Sequence, residues 1–391
     1  MKIFLIVLSV ILVLGCLFFV IFGKGIVAIY KSFKSFKPEN LAYTFQHTPE
    51  IQPVTTIKSS DRPFLFLEGK HIDLPTSFEV EGKKFDVDKF LEDTGTTAML
   101  VVKDDQIRFE KYYQGGNKDT SMVSNSMGKS FVSALFGIAV QKGYISSVND
   151  PIGKYIPEFR KTELADIPIK ACLQMASGID FDETKDVNTY SMKVLFGKSP
   201  MKTIAQYKTA RKPFTARVYQ SINTVILAQI IQNTTNMTLS EFMEKELWSK
   251  IGTENDAYWT LSNGKENAMG GLSLSLRDYA RFGRLYLNNG MFNGVQILSP
   301  KWVEDSTTIK DDFMMPGKSS DAYDPFGYGY QWWIPEGNEG EYMAIGVFGQ
   351  WLYINPSRNI IIVKTSADAN FDRPGYELEN LAFIRAVADT L

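Results

Sequence analysis

Strand patterns lie at both ends of the longer part of this chain, and helical patterns lie between them. A pair of strands is predicted at residues 97–102 and 106–113, on either side of the turn Lys103-Asp104-Asp105. Strand patterns return at residues 328–334, 341–345, 351–354 and 360–365. Segments so far apart can share one sheet only if the helical middle is inserted as a lobe. The sequence therefore predicts one mixed α/β (α+β) domain, which we place at residues 78–391.

The first helix of this domain is predicted at residues 126–142, ending at Gly143. Residues 131–140 are apolar on nearly every side, so the helix is expected to be buried. Further helices are predicted at residues 224–232, 239–248 and 276–287, and from about Glu377 to the end.

A long apolar run opens the chain, from Ile3 to Phe22. At about 1.5 Å per residue such a helix spans a bilayer core of roughly 30 Å. We therefore predict a single-pass transmembrane anchor at residues 1–23 and a juxtamembrane tether at residues 24–77. A cleaved signal peptide and a lipoprotein box at Val13-Leu14-Gly15-Cys16 are the alternatives. The positive-inside rule would place the segment after this anchor in the cytoplasm, because it carries Lys24, Lys31, Lys34 and Lys37. This rule alone leaves the orientation of the anchor in the membrane open.

Histidine is scarce, and its positions exclude two common hydrolase chemistries. Both histidines, His47 and His71, precede the predicted domain. A histidine-rich zinc site therefore lacks ligands, and a Ser-His-Asp triad lacks a well-placed base. The net charge of −2 gives no sign of nucleic-acid binding, which normally needs a basic face.

Ser126-Met127-Gly128-Lys129 is the first candidate for catalytic chemistry. Residues three apart on a helix share a face, so the Lys129 amine is expected beside the Ser126 hydroxyl. A serine that opens a helix lies where N–H groups can stabilise an oxyanion. Apolar neighbours lower the pKa of a lysine, and the neutral amine can then accept the serine proton. The overlapping Gly128-Lys129-Ser130 is not a phosphate-binding loop, because Val123 occupies the position of its first glycine.

Two further segments carry candidate site residues. Tyr219-Gln220-Ser221 precedes a predicted helix, and a tyrosine there could relay protons beside Ser126; a core tyrosine is the alternative. Gly346-Val347-Phe348-Gly349-Gln350 lies between two predicted strands, where glycines indicate either a substrate lying along this edge or a bulge or tight inter-strand corner. Three tryptophans could line a substrate cleft or be simple core: Trp332, Trp333 and Trp351.

In this order the three segments resemble the serine β-lactamase and penicillin-binding-protein superfamily. The class C-like branch, with its esterases and 6-aminohexanoate-dimer hydrolases, is the more similar. Further stretches that fit this branch are Gly143-Tyr144-Ile145, Asp150-Pro151-Ile152, residues 173–178, Gly270-Gly271-Leu272, residues 277–283 and residues 328–333. The resemblance implies a β-lactamase/transpeptidase-like fold, in which an antiparallel sheet is flanked by helices and joined to a mainly helical lobe.

The resemblance also implies roles for individual residues. Ser126 is acylated, and Lys129 and Tyr219 share the base and acid work. The backbone N–H groups of Ser126 and Gln350 form the oxyanion hole, if Val347-Phe348-Gly349 aligns with the family's Lys-Thr-Gly. Ser221 and Val347 stand where the lactamases carry an asparagine and a lysine, and both replacements are at home among esterases and amidases.

The expected function is that of a serine hydrolase cleaving an ester or amide bond, with no metal or cofactor. The substrate is a small molecule or a cell-wall or peptide fragment, and the family's usual location places the domain outside the cytoplasm. Alternatives are a catalytically silent cell-wall-binding module, a true β-lactamase and a D,D-peptidase. In the preferred interpretation, apolar substrate groups lie against Val347, Phe348 and Trp332.

Overall fold

In the computed structural model, residues 34–319 and 322–391 are described. The described residues contain β-strands of two to eight residues. They are β1 (Val54–Ile57), β2 (Leu67–Glu68), β3 (Ser77–Val80), β4 (Lys83–Asp86), β5 (Thr96–Lys103), β6 (Gln106–Tyr112), β7 (Met122–Val123), β8 (Ala257–Ser262), β9 (Lys265–Glu266), β10 (Leu272–Leu274), β11 (Met291–Phe292), β12 (Val295–Gln296), β13 (Gly317–Ser319), β14 (Ala322–Asp324), β15 (Gly327–Tyr328), β16 (Trp333–Ile334), β17 (Tyr342–Gly346), β18 (Gln350–Asn355) and β19 (Ile360–Ser366).

Helices lie mostly in the middle of the chain. They are α1 (Leu41–Gln46), α2 (Thr48–Ile51), α3 (Val87–Asp93), α4 (Gly128–Gln141), α5 (Ile152–Tyr155), α6 (Ile169–Leu173), α7 (Glu183–Leu195), α8 (Pro200–Ile204), α9 (Ser221–Thr235), α10 (Leu239–Glu246), α11 (Leu276–Leu287), α12 (Pro300–Thr307) and α13 (Tyr376–Ala388). Short 3₁₀ turns occupy Pro38–Asn40, Asn125–Met127, Pro157–Phe159, Trp248–Lys250, Asp312–Met314 and Pro356–Arg358.

The larger sheet combines strands from both ends of the domain, in the order β15-β16-β17-β18-β19-β5-β6-β2. Strand β5 pairs antiparallel with β19 on one side and β6 on the other, and only the short β2 runs parallel to its neighbour. The sequence prediction of one sheet from distant segments is thereby confirmed.

Alternate residues of the central strands enter two different cores, as the two-residue period of a strand requires. Ala98, Leu100 and Val102 face the core that contains α4 and α11. Met99 and Val101 face the core formed with α3 and α13. Helices therefore cover both faces of the sheet, and the predicted mixed α/β fold is confirmed.

Residues of the predicted tether instead take part in the folded domain. Strand β1 pairs antiparallel with β8, from Val54 opposite Thr260 to Ile57 opposite Ala257. Leu41, Phe45, Ile57 and Phe66 are buried, although the segment is rich in Pro, Thr and polar residues. The tether prediction is corrected for this part of the chain. Strands of two and four residues are too short to show a period, and their partners lie far away in sequence.

The predicted strand at residues 328–334 is two strands separated by a turn. Gln331 has φ of 64°, in the left-handed region, and its side-chain Nε2 donates to the carbonyl of Leu173 at 2.9 Å. Thr224 donates to its Oε1 at 2.7 Å. This turn therefore joins the sheet to the helical lobe, which a continuous strand could not do.

The predicted anchor at residues 1–23 lies outside the described residues. Within residues 34–319 and 322–391 no helix has both the length and the apolar character needed to cross a membrane.

Candidate active site

Ser126 lies in a tight turn at the start of the buried helix α4. The turn is the 3₁₀ segment Asn125–Met127, which runs directly into α4. Asn125 adopts a positive φ of 43°. The Ser126 hydroxyl is thereby placed at the amino end of a 14-residue helix, where the N–H groups and the helix dipole favour negative charge.

Lys129 lies one turn further along and contacts the Ser126 hydroxyl. Its Nζ donates to Ser126 Oγ at 2.8 Å and to the Met269 carbonyl at 2.5 Å. Only 2% of the Lys129 side chain is exposed. Burial lowers the pKa of this lysine to about 8, and the negative charge of Glu183 acts weakly in the opposite direction. The amine is therefore partly neutral near physiological pH, when it can accept a proton.

Tyr219 completes this group of three. Lys129 Nζ lies 5.3 Å from the centroid of the Tyr219 ring, which stacks on Trp333 at 5.6 Å. Burial raises the pKa of the Tyr219 hydroxyl well above its usual range, against the smaller effect of a hydrogen bond with Ser126. Tyr219 therefore carries its proton at neutral pH, which suits it to donate rather than to accept. The structure brings the three predicted catalytic side chains together.

Ser221 is engaged by a carboxylate that the sequence analysis did not single out. Its backbone N–H donates to Glu183 Oε2 at 2.7 Å, and its hydroxyl donates to the other oxygen of the same carboxylate. Glu183 opens helix α7, and its charge acts on both Lys129 and Tyr219. An Asp-Glu pair at the start of a helix usually interacts with that helix's own N-terminus, so the sequence carried no signal for this role.

The third predicted segment is the hairpin turn between β17 and β18, closed by the pair Gly346 and Gln350. Phe348 and Gly349 both have positive φ, 63° and 88°. Val347 is 42% exposed, whereas Gln350 is 1% exposed. The Gln350 side chain donates to the Ser366 carbonyl at 2.6 Å and to the Phe348 carbonyl at 3.3 Å. Gln350 thus supports the hairpin from inside.

Gly346 and Val347 are the hairpin residues that adjoin the nucleophile. A Cβ atom at Gly346 would lie 2.4 Å from the Ser124 carbonyl oxygen and 3.0 Å from the Ser126 nitrogen. Asn125 Nδ2 donates to the Val347 carbonyl at 3.0 Å. The hairpin backbone therefore lies directly against the turn that carries Ser126.

Some of the aromatic residues near the site are buried in the core, and others are partly exposed. Trp332 and Trp351 are fully buried, as the core alternative expects, so the predicted substrate contact at Trp332 is wrong. Trp333 is partly exposed beside Tyr219. Phe348 packs on Phe45 at 5.2 Å between ring centroids. The Phe348 ring is therefore packed against the protein itself, and the prediction that substrate contacts it is wrong.

Arg217, the nearest basic residue to Tyr219 in sequence, is held in the protein interior. It is 1% exposed, forms an ion pair with Asp324, and donates to the Phe326 carbonyl at 2.8 Å. The second serine of the first motif, Ser130, donates to the Gln331 carbonyl at 2.7 Å and is also buried. Neither side chain is available to a substrate in this arrangement.

A serine hydroxyl that contacts a buried lysine amine, beside a protonated tyrosine on this α/β fold, fits a serine hydrolase. Residues 87–384 match the family model described as Beta-lactamase. The chain therefore belongs to the beta-lactamase family.

Known relatives agree with this membership. A 6-aminohexanoate-dimer hydrolase from Paenarthrobacter ureafaciens is 28% identical over 295 residues, covering 72% of this chain and 75% of the relative. A solved Bacillus anthracis structure, provisionally named a 6-aminohexanoate-dimer hydrolase, has a TM-score of 0.81 at 24% identity and covers 91% of this chain and 95% of its own. A family VIII carboxylesterase has a TM-score of 0.61 at 16% identity, covering 78% and 94%.

Proposed function

We propose that this protein hydrolyses an uncharged ester or linear amide through an acyl-enzyme on Ser126. The observation that carries the proposal is the 2.8 Å contact between the buried Lys129 amine and the Ser126 hydroxyl. The hydrolase names of the related proteins, for a 6-aminohexanoate dimer and a carboxylic ester, support the same reaction class.

In the proposed first step neutral Lys129 takes the Ser126 proton while Oγ attacks the substrate carbonyl carbon. We place the second oxyanion donor at the Val347 N–H instead of the predicted Gln350 N–H, because Gly346 and Val347 contact the turn that carries Ser126. Together with the Ser126 N–H it stabilises the resulting oxyanion, as preorganised donors do in acyl transfer. Tyr219 gives its proton to the departing alcohol or amine, and the carbon–leaving-group bond breaks. Lys129 then passes its proton to Tyr219, which restores both groups. Water attacks the acyl-enzyme carbonyl while neutral Lys129 takes one of its protons. The bond from the carbonyl carbon to Ser126 Oγ breaks, Lys129 returns the proton to Oγ, and the carboxylic acid leaves.

An uncharged substrate follows from the side chains at the third segment. Val347 offers no charge, and Arg217 is ion-paired with Asp324. Lactamase and D,D-peptidase substrates carry a carboxylate, for which a charge-assisted contact is roughly twice as strong as a neutral hydrogen bond. Losing such a contact costs about 2–3 kcal/mol, or roughly 30- to 150-fold in rate.

Labelling with a fluorophosphonate probe tests the nucleophile. The native protein is expected to label, and Ser126→Ala to lose labelling and at least about 10³-fold of its turnover. A native protein that folds but neither labels nor hydrolyses any ester or amide would instead support the silent binding module.

Comparing kcat/KM for p-nitrophenyl butyrate and nitrocefin on one sample tests the substrate class. We expect the ester to be preferred. A clear preference for nitrocefin would favour a true β-lactamase and would show that a cation reaches the site.

We also propose that residues 1–23 anchor the protein and that the catalytic domain lies outside the cytoplasm. The apolar run Ile3 to Phe22 and the usual location of this superfamily support the proposal. Reporter fusions after Leu391 test it, since an active cytoplasmic reporter and a silent periplasmic one would contradict it.

A further inference from the structure

A small apolar cluster lies beside the proposed oxyanion hole, separate from the two main cores. Its buried members are Leu41, Phe45 and Val123, and Phe348 packs against them. Leu41 and Phe45 belong to α1, which precedes the residues 87–384 that match the family model. We call this group the α1 clamp.

The α1 clamp contacts the chain on both sides of the proposed oxyanion hole. Val123 lies three residues before Ser126, at the end of β7. Phe348 lies in the hairpin that presents the Val347 backbone. Phe45 therefore belongs to a cluster that links β7, the strand just before Ser126, to the hairpin between β17 and β18.

Phe348 is an unusual residue for its backbone conformation. Its φ of 63° is in the left-handed region, where non-glycine residues are uncommon and strained. Its ring compensates with three aromatic contacts, to Phe45 at 5.2 Å, Phe371 at 4.6 Å and Phe36 at 6.1 Å between centroids. Aromatic pairs at such distances stabilise beyond simple burial. The ring contacts therefore hold a hairpin that its backbone alone would not favour.

The inner side of the hairpin leaves little room for adjustment. A Cβ atom at Gly349 would lie 2.4 Å from the Tyr376 hydroxyl oxygen and 2.9 Å from Ser366 Cβ. Asp368 N donates to the Phe348 carbonyl at 3.2 Å. The hairpin is thus fixed from inside by α13 and β19, and from outside by the α1 clamp.

We propose that Phe45 of α1 is a positioning residue for the reaction, acting through Phe348 to hold the Val347 N–H at its working distance from Ser126. The proposal rests on the function proposed above, because it assigns the Val347 N–H to the oxyanion. Phe45 itself touches neither the nucleophile nor the base in the described contacts, so its effect is on transition-state stabilisation.

Phe45→Ala is the direct test, with Phe45→Leu as the conservative rescue. We expect Phe45→Ala to lower kcat by about 10- to 100-fold, since small displacements of positioning groups cost that much. KM and the pH midpoint of activity should change little, because Lys129 is untouched. Phe45→Leu should recover most of the loss. Tyr43→Ala is the matched control, because Tyr43 lies on the same helix, is 57% exposed and stacks on His47.

Phe348→Gly is a second variant, chosen because glycine suits the positive φ at this position. Glycine adopts a positive φ without strain, so the hairpin can still form although the ring contacts are lost. We expect a protein that still folds cooperatively, with a melting temperature lowered by the lost ring contacts, and a reduced kcat. Full kcat in both Phe348→Gly and a folded Phe45→Ala would overturn the proposal.

Hydrogen exchange of the amides at residues 346–349 separates this proposal from the proposed function. Exchange should accelerate in Phe45→Ala and stay native-like in Tyr43→Ala, whether or not the enzyme is active. Unchanged exchange in Phe45→Ala would reject the clamp even if Ser126 is the nucleophile. Accelerated exchange in a protein that never labels would retain the clamp and reject the hydrolase.

Discussion

At the scale of single residues, the protonation of Lys129 governs the proposed chemistry. Burial lowers the pKa of this lysine to about 8, so the neutral base becomes populated as the pH rises through that value. Desolvation rather than a nearby cation lowers this pKa, since the negative charge of Glu183 acts in the opposite direction. A lysine can therefore replace the missing histidine as base.

We predict that kcat/KM rises with pH, with a midpoint near pH 8. Lys129→Arg should be nearly as inactive as Lys129→Ala, because a guanidinium stays protonated throughout this range. Rate measurements between pH 6 and 10 on the three proteins check both expectations. Substantial activity in the arginine variant would show that Lys129 acts only through its charge.

A second buried lysine, Lys364, is expected to make the stability of the protein depend on pH. It is fully buried on β19, where its Nζ donates to Ser366 Oγ at 2.8 Å and to Asn380 Oδ1 at 3.2 Å. Burial lowers its pKa from 10.5 to about 7. The unfolded chain therefore binds this proton more tightly than the folded protein does between about pH 7 and 10.5.

We predict that Lys364 makes the protein more stable as the pH rises from about 7 towards 10.5. Lys364→Met should remove this part of the pH dependence, so that the variant gains most relative to the native protein at pH 6–7 and least at pH 10. Urea unfolding at several pH values measures the difference. A constant difference across the range would show that Lys364 has no lowered pKa.

At the scale of elements, the hairpin between β17 and β18 depends on a glycine that faces the nucleophile's turn. We predict that Gly346→Ala lowers kcat by about 10²-fold, because its Cβ would lie 2.4 Å from the Ser124 carbonyl oxygen and must displace one of the two backbones. Gly340→Ala is the control for activity, since its Cβ meets nothing within 4 Å. Its φ of 71° makes alanine strained there, so the two variants are compared at a temperature at which both are folded. Equal activities of the two variants would contradict the close approach.

Elements with a clear period were predictable, and those defined by long-range pairing were not. Helix α11 (Leu276–Leu287) and strands β5 and β6 lie within one residue of their predictions, because their apolar periods are local. The glycines at residues 346 and 349 mark a tight inter-strand corner, which was one of the two predicted alternatives. The sequence could not show which hairpin residue adjoins Ser126, because register depends on the pairing of Gly346 with Gln350.

At the scale of the whole molecule, residues before the family-matched region are part of the fold. We predict that a chain starting at residue 78 is much less stable than one starting at residue 34. It loses the buried side chains of Leu41, Phe45, Ile57 and Phe66, each worth about 1.5–3 kcal/mol. The sum approaches the whole stability of a typical domain.

Thermal unfolding of the two chains measures this difference. The shorter chain should unfold at a far lower temperature or fail to fold cooperatively. Equal melting temperatures would show that β1 and α1 add little to the domain.

The contact between Ser126 and Lys129 was predictable from the sequence for a physical reason. Tyr219 was assigned to the same site only through the family resemblance, and the surroundings of the three residues were not predicted. Ser126 and Lys129 lie one helical turn apart, so their contact is fixed by local geometry. Glu183 contacts Ser221 across 38 residues, and Phe45 contacts Phe348 across some 300, which no local pattern can reveal. Pairings at that range depend on the completed fold.

The pairing of β5 with β19 also sets an order of events during synthesis. Val101 lies opposite Ile362, so the central strand leaves the ribosome about 260 residues before its partner. At roughly 5–20 residues per second this delay is about 13–50 s. Throughout that time the apolar β5–β6 hairpin has a free edge of the kind on which other strands pair. The nascent chain therefore needs either protection or delayed folding until its last thirty residues appear.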